Sequence, residues 1–415
     1  MSNFLQKSKI LLISSHNSHR SGLRKTLIDL GVNNKNVEVA SDYLQAKDIL
    51  LKEPIQILIS DEEIGKGHQA SDLLELHRKN NPLREERFFI VLMDNEITPF
   101  TLADFTIRGG DMALSKPFKN DNFIKILVSM IEAKGKLSND DKIMLTIEDL
   151  VAGGETIQAT ALLIKIKNKN SVQYFYSHGL IAEAEGNLED AFNSYLKSNE
   201  IKPGFKSLVT LIRTGAKLKK YSELKSFVDV WLYDFPIHHS SISDITRVII
   251  ANKKYDLLDQ LFKIFSTHNV TDTLVRTPLA AGFVMVSTDY LDQGKTDQSK
   301  EYALKGIEYS NKRLPIIFKA VENLVKAGDK EAAEKAYIKN VPELSNLDEQ
   351  VLDLKIRATI YPKSKILSEC MKMIEQKVIH AELFSFTILC LKEVGKDPGE
   401  IIVRAKRSFP NLEFN

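Results

Sequence analysis

Apolar and polar positions follow two different periods in the two parts of the chain. Between residues 9 and 134, short apolar runs alternate with amphipathic stretches, a pattern typical of parallel strands separated by helices. The apolar runs predict five strands: Ile10–Ile13, Val37–Ala40, Ile55–Ser60, Phe88–Met93 and Met112–Ser115. The stretches between and after them predict helices at 18–30, 42–52, 69–80, 98–108 and 120–133. Five such units are enough for one doubly wound, flavodoxin-like α/β domain with a five-stranded parallel sheet.

After residue 138 the strand-like runs stop and the pattern becomes helical. Five similar turn segments recur there: EGNLEDA, LKKYSEL, NKKYDLL, QGKTDQS and AGDKEAA. Their matching positions, in steps of 33, 34, 41 and 34 residues, are Asn187, Lys220, Lys254, Lys295 and Asp329. A period of this length indicates an array of helical hairpins. We therefore predict an α/β domain at residues 1–135 and an all-α helical-hairpin solenoid at residues 136–415.

Composition narrows the classes of partner. The chain carries 57 Lys and Arg against 55 Asp and Glu, so no global charge favours nucleic acid or an anionic membrane. Cys370 and Cys390 lack zinc-type spacing, which argues against a disulfide framework or a structural metal. The first ten residues show no apolar h-region of the kind that signal peptides contain, and no apolar run approaches the roughly 18 residues that span a bilayer. We expect a cytoplasmic protein with neither a membrane nor a nucleic-acid partner.

One pair of adjacent histidines, His238 and His239, follows Pro236 in a predicted turn between repeats. No carboxylate or cysteine stands at metal-ligand spacing beside them in the sequence. The pair is therefore interpreted as part of a solvated loop, and no metal site is predicted.

The segment Val172–Pro203 resembles a tetratricopeptide repeat (TPR). Matching positions are the aromatic Phe175, the small Gly179, and Ala191, Tyr195 and Pro203. The next unit keeps the spacing at Leu224, Val228, Trp231 and Pro236, although Arg213 replaces the small residue. The resemblance covers residues 140–345, and it implies a solenoid whose concave groove binds peptides or proteins.

In TPR proteins the first helix of each repeat lines this groove. Extending the register of the first repeat places there Tyr176, Glu183, Lys206, Arg213, Lys217 and Arg247. Four cations on one strip would attract an acidic peptide, because Arg grips a carboxylate in a bidentate manner and Lys adds a point charge. The alternative is that these side chains are ordinary solvated charges.

Residues 9–134 resemble the receiver domain of bacterial two-component response regulators. The motif ILISDEEIGKG ends the third strand at Asp61, and GGDMALSKPF places Lys116 before Pro117 after the fifth strand. The resemblance implies that Asp61 is the phosphoacceptor and that Lys116 contacts the phosphoryl group. It also implies a cis peptide bond between Lys116 and Pro117.

Four positions depart from the receiver pattern. Receivers bind Mg²⁺ through an acidic pair after the first strand, where this chain has Ser14 and Ser15. A hard divalent cation needs anionic oxygen ligands to support phosphoryl transfer, so the site should bind Mg²⁺ weakly. Met93 replaces the hydroxyl residue that bonds the phosphoryl group, and Ala113 replaces the aromatic switch. A methionine cannot donate the hydrogen bond, and an alanine has no ring to move.

These departures predict a pseudo-receiver, and the chain is expected to be a signalling adaptor or scaffold rather than an enzyme. Its expected partners are proteins bound by the TPR-like groove and by the receiver face, with a homodimer through that face as one option. No cofactor is expected. The alternative is a response regulator that accepts phosphate on Asp61, with Mg²⁺ as cofactor and Glu62, Glu63 or Asp94 replacing the lost acids. An RNA-binding helical array is a weaker third reading, since aromatic platforms are few.

Overall fold

The computed structural model describes residues 3–81, 83–95, 97–267, 273–341 and 343–413. Within them the chain forms two compact units, Met1–Asp244 and Ile245–Asn415. No helix in this described part combines the length and the hydropathy that a bilayer crossing requires.

A five-stranded parallel sheet forms the centre of the N-terminal α/β domain. Its strands are β1 (Ile10–Ile13), β2 (Val37–Ala40), β3 (Ile57–Asp61), β4 (Phe88–Met93) and β5 (Met112–Ser115). The strand order is β2-β1-β3-β4-β5, the order of the flavodoxin-like doubly wound fold. The predicted fold class is confirmed. Four strands have the predicted bounds, whereas β3 begins two residues later than predicted and ends on Asp61.

Helices cover both faces of this sheet. They are α1 (Asn3–Lys7), α2 (Asn17–Asp29), α3 (Tyr43–Lys52), α4 (Leu74–Asn80), α5 (Pro99–Ile107) and α6 (Asn120–Gly135). Ile10 and Leu12 of β1 belong to one apolar cluster, together with side chains of α1, α2 and α6. Leu11 and Ile13 belong to the opposite cluster, which α3, α4 and α5 complete. This alternation follows from the two-residue period of a strand.

Helices account for the regular structure that follows. In the first unit they are α7 (Asn139–Ala152), α8 (Thr156–Leu163), α9 (Val172–Ala184), α10 (Leu188–Ile201), α11 (Phe205–Lys217) and α12 (Tyr221–Asp234). Helix α13 (Ile242–Ala251) begins in the first unit and ends in the second. The second unit continues with α14 (Tyr255–Thr267), α15 (Thr273–Asp292), α16 (Thr296–Tyr309), α17 (Leu314–Lys326), α18 (Lys330–Asn340), α19 (Leu347–Ile360), α20 (Lys363–Glu375), α21 (Ala381–Glu393) and α22 (Gly399–Ser408).

The recurring turn segments join the helices of successive pairs. Four of their matching positions are the N-cap residues of α10, α12, α16 and α18. The residue before each matching position has a positive φ: Gly186, Lys219, Lys253, Gly294 and Gly328. A left-handed residue after a helix satisfies carbonyl groups of its last turn and reverses the chain. The predicted helical-hairpin array is therefore confirmed, and its period reflects this shared turn.

Gly179 marks the closest approach between the helices of the first clear repeat. A Cβ atom added there would lie 2.5 Å from a ring carbon of Tyr195, which is fully buried. Only glycine leaves room for this ring, so the sequence match to the small TPR position has a direct steric cause.

The predicted boundary between residues 135 and 136 falls at the end of α6, where a short connection leads to α7. Ser138 is the N-cap residue of α7, and its Oγ accepts a hydrogen bond from the Asp141 N–H. The Asp141 carboxylate in turn accepts a hydrogen bond from the Ser138 N–H. Because the first compact unit continues to Asp244, the α/β domain and the helices up to α12 form one body. Independent folding on each side of residue 135 stays a prediction.

Candidate functional site

The carboxyl ends of the strands bring the two retained receiver residues together. Asp61 ends β3 with its side chain buried, and Lys116 Nζ lies 2.8 Å from its Oδ1 atom. Lys116 also donates a hydrogen bond to Asp94 Oδ1 at 3.0 Å. The Lys116–Pro117 peptide bond is cis, as the receiver resemblance implied. One ammonium group thus bridges a buried carboxylate and an exposed one.

The electrostatics of this crevice favour the charged lysine. Partial burial opposes the charge of Lys116, but the carboxylates of Asp61 and Asp94 outweigh it and raise the pKa of the ammonium group. For Glu62 the surroundings disfavour the charged form. Burial and the charges of Glu63 and Asp94 raise the pKa of its carboxyl group. The acids named as substitutes for the lost pair therefore repel one another, and Lys116 already binds one of them.

Ser14 and Ser15 stand where receivers carry their metal-binding acids. Ser14 is buried, and its Oγ accepts a hydrogen bond from the His16 N–H at 3.2 Å. Its carbonyl oxygen accepts a hydrogen bond from the guanidinium group of Arg20. Ser15 is exposed. The position thus offers neutral oxygens, two of them already engaged, beside a fixed positive charge that disfavours a second cation.

Met93 and Ala113 occupy the positions that the resemblance assigned to phosphoryl sensing. Met93 ends β4 with a buried side chain that belongs to the apolar cluster beneath α3, α4 and α5. A hydroxyl is present nearby on Ser115, but it accepts a hydrogen bond from the Ile97 N–H and donates one to the Asn95 carbonyl. Sequence reasoning missed this hydroxyl and the guanidinium of Arg20, since neither stands at a motif position.

The strand order and the paired helices define a receiver-like α/β domain followed by TPR-like helical hairpins. Comparison with protein-family models and with curated protein sequences found no match. Similar solved structures include receiver domains over the N-terminal residues and TPR proteins over longer stretches.

The chemotaxis response regulator CheY4 of Vibrio cholerae is 22% identical, the match covering 30% of this chain and 98% of that chain at a TM-score of 0.26. NtrX from Brucella abortus is 12% identical over 97% of this chain and 99% of that chain, with a TM-score of 0.28. A chain of the APC/C hetero-tetramer Cut9-Hcn1 is 11% identical over 94% of this chain and 65% of that chain, with a TM-score of 0.26. Because these scores are low, the fold assignment rests on the strand order and helix pairs of this chain.

The cations predicted to line the TPR-like groove have acidic neighbours. Lys206 Nζ lies 2.6 Å from Glu148 Oε2. Arg213 donates a hydrogen bond to Glu183 Oε2 at 2.7 Å, and Lys217 Nζ lies 3.7 Å from the other oxygen of Glu183.

These pairs reduce the net charge of the strip. Tyr176 is buried, and Arg247 also has an interaction partner. The peptide-binding role of these residues stays a prediction.

The α/β domain itself lies against this part of the array. A cavity of about 350 Å³ is lined on one side by Arg78, Arg84, Ile107 and Gly109, and on the other mainly by α7, α9 and α11. Asp149 of α7 forms ion pairs with the buried Arg87 and with Arg78. Sequence reasoning missed these contacts because a carboxylate in a helix carries no mark of a partner 62 residues away.

A second cluster of charges supports the same side of the sheet. Asp111 is buried and accepts hydrogen bonds from the Arg84 guanidinium and the Phe89 N–H. Lys134 Nζ lies 2.7 Å from Asp111 Oδ1, and burial lowers the pKa of Lys134 to about 8 although this carboxylate opposes the shift. These groups hold the end of α6 to the start of β4.

The fold also gives the histidine pair a different setting from the predicted solvated loop. His238 is buried, so the prediction is wrong for this residue. Its Nε2 atom lies 3.3 Å from Oδ1 of Asp104 on α5. The tertiary structure thus supplies the pair with a carboxylate that lies 134 positions from His238 in the sequence.

Proposed function

We propose that the chain is a cytoplasmic adaptor of bacterial two-component-type signalling, in which a receiver-like domain no longer accepts a phosphoryl group and TPR-like helices bind a protein partner. The surroundings of Ser14 carry this proposal. Its hydroxyl and carbonyl oxygens are engaged by His16 and Arg20, so this position adds no anionic ligand to Asp61 for a divalent cation. Asp61 then serves as the buried partner of Lys116.

The pairing face of the domain bears on whether the chain forms a homodimer. In receivers the fourth and fifth helices form this face, and they correspond to α5 and α6 because α1 precedes the receiver pattern. Asp104 and Arg108 of α5 form an ion pair, and Asp104 also contacts His238 of the loop after α12. Part of the face is therefore occupied by the chain's own helical array. A homodimer through this face would require those contacts to open.

A specific observation favours the second candidate, a phosphorylatable response regulator. Asp61 and Lys116 keep the 2.8 Å contact of a phosphoacceptor with its lysine, and Glu62 and Asp94 lie at the same edge of the sheet. A cation held by these acids would make Asp61 reactive without Ser14 or Ser15. Phosphoryl transfer would then release the helices as the output.

Intact-mass measurement after incubation with acetyl phosphate and Mg²⁺ separates the two functions. We expect no stoichiometric adduct on the wild-type chain. The acidic metal ligands are missing, and Met93 replaces the hydroxyl residue that would donate a hydrogen bond to the phosphoryl group. The matched control is Asp61→Asn, which removes the acceptor while keeping the side-chain size. An adduct that forms on the wild type and is absent from this variant would establish the response regulator instead.

A gain-of-function variant tests the physical reason. Replacing exposed Ser15 by Asp together with Arg20→Ala adds an anionic ligand and removes the neighbouring cation, so Mg²⁺ affinity should rise. Calorimetric titration with Mg²⁺ at low salt measures this change. Equal Mg²⁺ affinity of the wild type and the variant would mean that the cation does not bind beside Ser15 and Arg20.

A further inference from the structure

Three potential metal ligands converge between the α/β domain and the helical array of the first compact unit. Asp104 lies on α5, while His238 and His239 lie in the connection between α12 and α13. One ligand atom from each residue lies within 4.8 Å of the other two. In the described part of the chain these three residues are the group of His, Cys, Asp and Glu that meets this criterion.

The distances approach those of a bound ion. With Zn–N and Zn–O bonds of about 2.0–2.2 Å, tetrahedral ligands stand about 3.3–3.5 Å apart. His238 Nε2 already lies 3.3 Å from Asp104 Oδ1. His239 Nδ1 lies 4.0 Å from the same oxygen, and the three ligand atoms lie within 4.8 Å of one another. Binding an ion therefore requires His239 to move closer to the other two ligands.

Neighbouring groups orient two of the three ligands. His238 Nδ1 lies 2.6 Å from the hydroxyl of Ser240, which fixes the ring and leaves Nε2 facing Asp104. Arg108 Nε lies 2.8 Å from the second oxygen of Asp104, Oδ2, so Oδ1 remains on the side of the histidines. Metal-binding histidines and carboxylates are typically held by such outer partners.

The burial of the ligands matches a site with one open position. The His238 side chain is 8% exposed, whereas those of Asp104 and His239 are 29% and 26% exposed. Water can therefore reach the site and complete it. Two imidazoles and one carboxylate are a borderline-soft set that suits Zn²⁺ better than Mg²⁺ or Ca²⁺, which prefer oxygen ligands alone.

We propose that Asp104, His238 and His239 bind one Zn²⁺ ion, with water as the fourth ligand. The ion would join residues 134 positions apart in sequence and fasten α5 to the connection after α12. It would thereby stabilise the docked arrangement of the α/β domain on the array. This inference is independent of whether Asp61 accepts phosphate.

The direct test uses the full-length chain stripped of metal with a chelator. Equilibrium dialysis against Zn²⁺, followed by elemental analysis, should find one ion per chain. Asp104→Asn keeps an acceptor for His238 but removes the anionic ligand, and His239→Ala removes a half-buried imidazole. Each should weaken Zn²⁺ binding more than about 100-fold, beyond the effect of losing an outer partner. Far-ultraviolet circular dichroism checks that both variants fold.

The matched control is the other close histidine pair, His16 and His19. Their rings lie 5.2 Å apart and both residues are exposed. The double variant His16→Ala with His19→Ala should keep its zinc. Zinc should also raise the melting temperature of the wild type and of this control, but not that of Asp104→Asn.

Substitution of Co²⁺ provides an independent spectroscopic readout. The wild type should show the visible absorption of four-coordinate Co²⁺, and His239→Ala should lack it. Two results would overturn the proposal: less than one zinc ion per wild-type chain at saturation, or stoichiometric zinc that both Asp104→Asn and His239→Ala retain. In either case the contact between His238 and Asp104 is an ordinary hydrogen bond.

Discussion

Asp149 of α7 is the carboxylate that two guanidinium groups of the α/β domain share. Arg87 is 3% exposed and donates a hydrogen bond to Asp149 Oδ2, and Arg78 Nε lies 3.4 Å from the other oxygen. The other terminal nitrogen of Arg87, Nη1, donates a hydrogen bond to the neutral carbonyl oxygen of Asn81 at 2.9 Å. Asp149→Ala would therefore leave a buried cation without its anion.

The cost follows from that burial. Breaking a buried ion pair by removing one partner typically destabilises a protein by about 3–5 kcal/mol. With a urea dependence of about 2–3 kcal/mol per molar, this corresponds to a midpoint lowered by about 1–2.5 M. The loss should fall on the first compact unit, which contains both partners.

Fluorescence of Trp231 reports on this unit during urea unfolding. It is the single tryptophan of the chain, it is fully buried in α12, and its Nε1–H donates to the Pro236 carbonyl. The control is Asp48→Ala, which removes an exposed pair with Lys52 and should cost less than about 0.5 kcal/mol.

An apolar pair tests whether the loss arises from the buried charge. Replacing both partners, Arg87→Met with Asp149→Leu, removes the buried charge of Arg87 together with its anion. Arg78 loses the same carboxylate, but its side chain is 26% exposed, so the double variant should recover much of the stability lost in Asp149→Ala. If Asp149→Ala shifts the midpoint no further than Asp48→Ala does, the ion pair does not hold α7 to the domain and the reasoning is refuted.

Two further predictions concern single residues of the first unit. Burial lowers the pKa of His77 from 6.5 to about 3, so between these values the unfolded chain binds a proton that the folded chain does not. This group should therefore lower the free energy of unfolding by about 1.4 kcal/mol for each pH unit below pH 6.5. Urea titrations at pH 7 and pH 5 measure this dependence, and His77→Gln should make it weaker. If the variant shows the same pH dependence as the wild type, other groups cause it. Gly179→Ala should lower the free energy of unfolding by about 1–3 kcal/mol, because the new methyl group would push against the Tyr195 ring. Gly22 in α2 has nothing within 4 Å of an added Cβ atom. Gly22→Ala should therefore leave the free energy of unfolding unchanged or raise it by up to about 1 kcal/mol. Equal effects of the two glycine variants on the urea midpoint would contradict the steric argument.

Local patterns were sufficient to predict the strands of the sheet and the recurring helical hairpins. The strand bounds follow from apolar runs that must be buried on both faces of a parallel sheet, and β1 and β4 match them residue for residue. The helical repeat follows from a turn that needs a left-handed residue, which recurs at Gly186 and Gly328. The prediction failed in detail where tertiary context decides. The start of the predicted helix at 69–80 is a 3₁₀ turn, and α1, placed by the burial of Leu5, was not predicted.

By itself, the sequence determined the two classes of structure, because they depend on residue type and on short-range spacing. Its resemblance to receiver domains implied that Asp61 lies beside Lys116 and that Ser14 and Ser15 replace an acidic pair. Only the tertiary structure decided that Arg20 engages the Ser14 carbonyl, that Asp149 pairs with Arg87 and that Asp104 meets His238. The last two contacts join residues 62 and 134 positions apart. They exist because helices dock on one another through their whole surfaces, and no local periodicity encodes which side chains then face each other.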